Sequence, residues 1–477
     1  MEEKPRDQPA GFCGCLDDSG AAPTPELRIP EKGKMAQELK VRPETSSVTT
    51  SGRYRWVVCG LLFFATTVNY MDRQILSLLK PILDNQLHWS NEEFGAVNSA
   101  FQGAYAVGGL IFGYLVDLLG TKIGYAISIA GWSLAAMGHA LVSSVGGFFA
   151  ARICLGISEA GNFPSSIKTV ALWFPKKERT FATSLFNSGS NFGPIIAPII
   201  IPWIALTWGW QMAFILAGLA GFVWLAFWIP LYQVPERQKR LSADELTYIQ
   251  SDRDESHREG AGKIPWLSLF KYRQAWSIIV ARFMTDPVWW FFLIWLPDYF
   301  RKTRNLDIAH SWMHLATIYL IITVLSNIGG WLPGWLMRRG WSVTRARKTS
   351  MFIFALCVVP ILFATSVGNW AAVFLIGLAG SAHQAWSANL YSTASDMFPK
   401  HAVASLIGVG SAAGSIGGMI FPIVCGLLLD KFTAAGNVTG GYTVLFLICA
   451  FAYVVAFALN HLCAPRFEEL SAPELEK

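Results

Sequence analysis

The chain has 477 residues, of which 53% are hydrophobic and 15% charged, with a formal net charge of +6. Soluble domains carry about 25% charged residues, so this composition excludes an ordinary soluble enzyme, a nucleic-acid-binding protein and a disordered scaffold. The apolar residues arrive in runs of about 20, the length that crosses the roughly 30 Å core of a bilayer. Residues 1–52 are rich in Pro, Glu, Ser and Thr, show no apolar period and read as a disordered cytoplasmic tail. The start is polar, so no signal peptide is expected, and Met35 opens a second start. Twelve apolar spans follow, at 54–79, 92–116, 122–144, 147–173, 180–203, 210–233, 275–300, 312–337, 348–367, 370–397, 403–429 and 441–463. The expected fold is an all-α integral membrane protein with twelve transmembrane helices in two six-helix halves, 53–233 and 275–465. A polar linker, 234–274, separates them, and 466–477 forms a second cytoplasmic tail. Within the linker, Ser242 to Arg253 reads as an amphipathic helix at the membrane surface.

Lys and Arg in short loops set orientation. The side bearing the amino terminus has 18 such bases and the other side five, so both termini and the linker are expected in the cytoplasm. The eight cysteines form no CxxC and no Cys/His spacing, so no metal and no cofactor is expected.

The two halves repeat. GGLIFGYLVDLLG from Gly108 returns as GGWLPGWLMRRG from Gly329, and SLFNSGSNFG from Ser184 as SLIGVGSAAG from Ser405, both at an offset of 221. Two like-oriented halves around a midplane site are a transporter architecture. The glycine-rich runs lack the GKS or GKT of a phosphate loop, which argues against ATP drive.

A charge near the bilayer centre costs about 2.5–3.5 kcal/mol on insertion scales, so charges there must be paired, solvated or useful. In the first half they are Asp72 and Arg73 in the first span, and Arg152 and Glu159 in the fourth. Two acids and two bases sum to zero. Arg152 and Glu159 are two helical turns apart and share a face. The set is either an ion-pair network that pins two helices or a coupling device. In the latter, burial favours the neutral carboxyl and a nearby Arg the charged one. An anion that engages the Arg then releases the carboxylate to take up a proton.

GxxxD at Gly113–Asp117 with a basic loop resembles the loop signature of the major facilitator superfamily. NYMDR at 69–73 and RICLGISEAGNFP at 152–164 resemble its anion:cation symporter branch, which includes bacterial hexuronate and galactonate transporters, sialin and vesicular glutamate transporters. The resemblance implies that Arg73 with Tyr70 holds a substrate carboxylate, that Asp72 and Glu159 carry protons, that Arg152 pairs with them, and that Tyr105 offers a hydroxyl to substrate. Asn98 stands where the vesicular members have a histidine, which counts against glutamate.

The second half carries weaker signals. Aligning the Phe-Pro-Lys repeats makes His383 the partner of Glu159, with Gln384, Trp386, Ser387 and Asn389 around it. They are either sugar ligands or interhelical hydrogen bonds. Asn187, Ser190 and Asn191 in span five have the same two readings. Arg282 and Asp286 are either a structural pair or a second anion site. His139 and His314 read as packing residues, and Asp298, Arg301, Lys302 and Arg304 as a solvated helix end. The leading functional expectation is a monomeric, proton-coupled symporter of a sugar acid, a hexuronate or aldonate such as galactonate, in a bacterial inner membrane. Alternatives are a carrier or exchanger for another carboxylate or phosphate, and a membrane sensor derived from a transporter. The expected partners are a small anionic substrate, protons and the bilayer, with no nucleic acid.

Overall fold

A computed structural model describes residues 52–251, 266–306, 309–398, 400–468 and 470. The tail at 1–51, the linker residues 252–265 and most of 469–477, including Cys13, Cys15 and Met35, lie outside the described residues. Every regular element among the described residues is helical. In chain order these are α1 (Tyr54–Leu87), α2 (Asn91–Gly138), α3 (Val145–Glu159), α4 (Asn162–Trp173), α5 (Lys176–Asn187), α6 (Gly189–Trp208), α7 (Trp210–Leu231), α8 (Ala243–Gln250), α9 (Arg273–Arg304), α10 (Trp312–Leu325), α11 (Ile328–Arg338), α12 (Val343–Val358), α13 (Asn369–Met397), α14 (Lys400–Ala434) and α15 (Val438–Cys463). Eight helical stretches among the described residues are long and apolar enough to cross a membrane.

The helix breaks have local causes. The expected span at 92–116 and most of that at 122–144 lie within α2, which Gly120 interrupts with φ 78° and ψ 164°, a positive-φ backbone that glycine adopts without steric cost. The expected spans at 147–173, 180–203 and 312–337 each divide into two helices, at Ala160–Gly161, Ser188 and Ser326–Asn327. At the last two a hydroxyl turns back onto the backbone. Ser188 Oγ donates to the Leu185 carbonyl at 2.6 Å and Ser326 Oγ to that of Thr323 at 3.2 Å, a competition that favours bends.

The segment expected as an amphipathic helix holds α8, docked on the end of α1. Arg53 gives α1 no side-chain cap. Glu245 of α8, 1% exposed, accepts hydrogen bonds from the backbone N–H groups of Tyr54 and Arg55, each at 3.2 Å, and from Arg55 Nη1 at 3.0 Å. A carboxylate at a helix amino terminus satisfies orphan donors and faces the positive end of the dipole. Arg55 also holds Glu178 of α5 at 2.9 Å.

Helix α1 packs on α6 and α9, α2 on α3, α7 and α14, α6 on α10, α9 on α14 and α15, and α13 on α10 and α12. One buried apolar cluster runs from Val58 through Tyr125 and Trp228 to Ile249, and a second includes Trp295, Phe354, Trp386 and Tyr453. Large apolar side chains stay exposed along the outside, among them Leu110 (79%), Leu134 (62%) and Val324 (60%). An apolar surface this extensive fits lipid rather than water.

Candidate functional site

Midway along α1, Asp72 and Arg73 are buried at 1% and 7% exposure, facing the wholly buried Glu159 at the end of α3. Arg73 Nε donates to Glu159 Oε2 at 2.8 Å. Four aromatic rings surround the same guanidinium, with centroids 4.7 Å (Tyr70), 4.6 Å (Tyr105), 5.3 Å (Phe101) and 5.6 Å (Trp290) from its central carbon. Cation–π contacts strengthen when desolvated, and the rings fix the plane of the Arg fork. A Cβ at Gly156 would lie 2.5 Å from the Phe101 carbonyl oxygen. Glycine there lets α3 close on α2 and brings Glu159 beside the ring pair of Phe101 and Tyr105.

The four charges are together, as their sum predicted, but their pairing differs from the expectation. Arg152 makes no ion pair among the described residues. Its Nε and Nη2 have no hydrogen-bond partner, and its guanidinium lies over the Phe101 ring at 5.6 Å. Sharing a helical face with Glu159 places it two turns away, whereas Arg73 approaches Glu159 from a facing helix. Both Asp72 carboxylate oxygens, Glu159 Oε1 and Arg73 Nη2 are likewise buried and unpartnered. Asp72 interacts electrostatically with Glu159, Arg152 and Arg73. Such unfinished polar groups are costly and leave room for a proton or an anion to complete them.

The other helices reach the site less directly. Trp290 comes from α9, and Tyr391 of α13 interacts electrostatically with Tyr70. Arg282 lies over the Tyr391 ring at 4.6 Å and forks onto Asp286 Oδ2 at 3.0 and 2.6 Å. Ser387 lines the same narrow niche as Arg282 and Tyr391. His383 is not open: its Nδ1 is 2.5 Å from the Tyr453 hydroxyl and its ring stacks on Trp289 at 5.4 Å. Trp386, fully buried, stands edge-on to Tyr453 at 5.8 Å. Asn389 donates to the Gly329 and Ala385 carbonyls at 2.8 Å, which joins α13 to α11. Gln384 is half-buried. Ser190 donates to the Asn187 carbonyl at 2.7 Å, with Asn191 half-buried one residue on. His139 and His314 pack on rings, Phe214 at 4.9 Å and Trp370 at 4.7 Å.

The helix end expected to be a solvated face is instead a buried lock. Asp298 is 0% exposed and meets Lys80 at 3.6 Å, Arg301 at 2.8 Å and Lys302 at 3.0 Å, while Tyr442 donates to it at 2.7 Å. Arg301 also pairs with Asp84 of α1. Lys302 donates to Asn91 at 3.0 Å, and Asp430 of α14 accepts from the Asn91 and Glu92 backbone N–H groups at 3.0 and 2.8 Å. These bonds tie α1 and α2 to α9 and α14 at the end of the molecule remote from α8.

Residues 62–422 match the profile of the Major Facilitator Superfamily. The chain is 31% identical over 399 residues to the hexuronate transporter of Escherichia coli strain K12, covering 83% of this chain and 90% of that one. It is 34% identical over 280 residues to the galacturonate transporter of Dickeya chrysanthemi, covering 58% and 81%. Its fold is similar to a crystal structure of a bacterial homologue of the human lysosomal transporter Spinster, inward-facing and occupied, with TM-score 0.70, 15% identity and 87% and 98% coverage. It is also similar to a D-xylose–proton symporter, with TM-score 0.68, 14% identity and 88% and 100% coverage.

Proposed function

We propose, from the premise that this chain belongs to the Major Facilitator Superfamily and is a multi-pass membrane transporter rather than an enzyme, that it carries out proton-coupled symport of a sugar acid by alternating access. The eight long apolar stretches become twelve crossings when Asn91–Leu141 is counted as two helices about Gly120 and when α1, α3 with α4, and α13 are added. Those three carry Asp72 and Arg73, Arg152 and Glu159, and Gln384 and Ser387. The halves are 53–233 and 275–465, the linker and both termini are cytoplasmic, and the chain works as a monomer in a bacterial inner membrane. In this orientation the Asp298 lock closes the outer side.

The observation that carries the reading is the single bond from Arg73 to Glu159 inside its cage of rings. A substrate carboxylate matches the planar Arg fork in two places, one of them the unpartnered Nη2. Its arrival replaces Glu159 at Arg73. Glu159, released into an apolar surround, takes up a proton, since burial disfavours its charge. Asp72 is the second proton carrier, and the free nitrogens of Arg152 stabilise whichever acid is ionised. Tyr70 and Tyr105 address the first face of the sugar. Ser387, Gln384 and Tyr391 address the other, with Asn187, Ser190 and Asn191 at the junction of α5 and α6. Hexuronate and galacturonate, named for the relatives, are the substrates to try first.

Uptake of labelled D-galacturonate by proteoliposomes tests this. Accumulation should require an inward proton gradient and collapse with a protonophore. Equal uptake with and without the gradient would leave a uniporter or exchanger.

A further inference from the structure

Near the cytoplasmic end of α12 lies a charged group that the transport site does not use. Lys348 is 8% exposed, yet among the described residues it makes no ion pair. Its ammonium donates to the Ala464 carbonyl, meets His461 Nδ1 at 3.0 Å and lies 4.9 Å from the Phe467 ring centroid. An ammonium has three protons to place, and a buried cation without an anion is costly. It lines a cavity of about 490 Å³ with Arg345, Arg466, Ser342, Thr344, Thr349 and Glu468. Among the described lining residues Glu468 is the one acid, and it faces the exposed Arg466 at 3.6 Å.

On the same helix as Lys348, Phe352 (44% exposed) and Val343 (42%) present apolar surface, while Arg345, Arg466 and Glu468 are exposed polar groups. Trp341 stacks under Arg345 at 4.3 Å and Trp335 under Arg339 at 3.8 Å. Tryptophan beside basic residues marks the headgroup level of a membrane, and basic pockets between helices on that side suit anionic headgroups.

We propose that this cavity is a binding site for a phosphate-bearing anion, with Lys348 as the buried counter-charge, Arg345 and Arg466 as the outer clamp, and the hydroxyls of Ser342, Thr344 and Thr349 as donors. The ligand is a lipid headgroup or a soluble phosphate, and the site is distinct from the Arg73 cage.

Native mass spectrometry of the detergent-purified full chain, titrated with phosphatidylglycerol or phosphatidylcholine, tests it without reference to the transported substrate. The wild type should retain phosphatidylglycerol more tightly. Lys348→Ala should weaken it about tenfold, the worth of one charge-assisted bond, and Lys348→Arg should restore it. Arg345→Ala, at an exposed position, gives the same direction of change should Lys348→Ala fail to fold. Displacement of bound lipid by millimolar inorganic phosphate assigns the site to soluble phosphate, and retention assigns it to the headgroup. Equal retention of the two lipids by the wild type together with no binding of inorganic phosphate, or unchanged phosphatidylglycerol and phosphate affinity in Arg345→Ala and any folded Lys348→Ala protein, overturns the proposal.

Discussion

Arg73 of α1 and Glu159 of α3, 86 residues apart in the chain, share a 2.8 Å hydrogen bond, while Arg152, on the same helix as Glu159, makes none to it. Substrate and proton therefore meet at one guanidinium in the proposed mechanism. Its occupancy by carboxylate from the protein or from the ligand is the coupling step.

Glu159→Gln fixes the carboxyl in a neutral form. Proton-driven accumulation should be lost, while exchange between two substrate-loaded compartments continues. Uptake and counterflow in the same proteoliposomes separate the two, and wild-type accumulation by the mutant removes Glu159 from the coupling.

Arg73→Lys keeps the charge but replaces a planar fork with a point donor. Substrate affinity should fall roughly ten- to a hundredfold, the worth of a charge-assisted hydrogen bond. Calorimetry on purified protein measures it. Equal affinity of the wild type for a sugar acid and its uncharged analogue would instead favour a neutral-sugar carrier.

Asp298→Asn leaves Lys80, Arg301 and Lys302 around a neutral amide. Breaking a buried pair costs about 3–5 kcal/mol, so the lock should loosen and the population shift toward an outward-open state. Spin labels at Glu92 and Lys431, one on each side of the closure, should report longer distances in the mutant. Unchanged distances would mean that apolar packing alone holds this side shut.

Orientation is checked by single cysteines at Asp244 and Ala435, both exposed, in a cysteine-free background. An impermeant thiol reagent added to intact cells should label Ala435→Cys and spare Asp244→Cys. The reverse pattern inverts the topology.

The charged residues of the site were legible because Asp72, Arg73, Arg152 and Glu159 interrupt apolar spans, where each is anomalous by itself. Their pairing was not, because sequence separation reports only which residues share a helix, and the bond that formed runs between helices. Trp290, Phe101 and Tyr391 carried no signal. In a chain with 20 Trp, 32 Phe and 13 Tyr, an aromatic that faces an Arg looks like one that faces lipid. Asp298 was misread because a helix end rich in bases ordinarily meets water. Here the partners Lys80 and Asp84 lie more than 200 residues earlier. The helix breaks at Gly120 and Ser188 contain turn-favouring residues, yet similar residues elsewhere continue their helices.

Glu245 completes the first turn of α1 from the far side of six intervening helices. During synthesis the donors of Tyr54 and Arg55 must wait for residue 245 to emerge, so the opening helix is finished only once α8 has been made. A protein split between 251 and 266 keeps this carboxylate with the fragment that needs it. One split between 231 and 235 moves it to the other fragment, which makes the recapture of α8 a condition for reassembly.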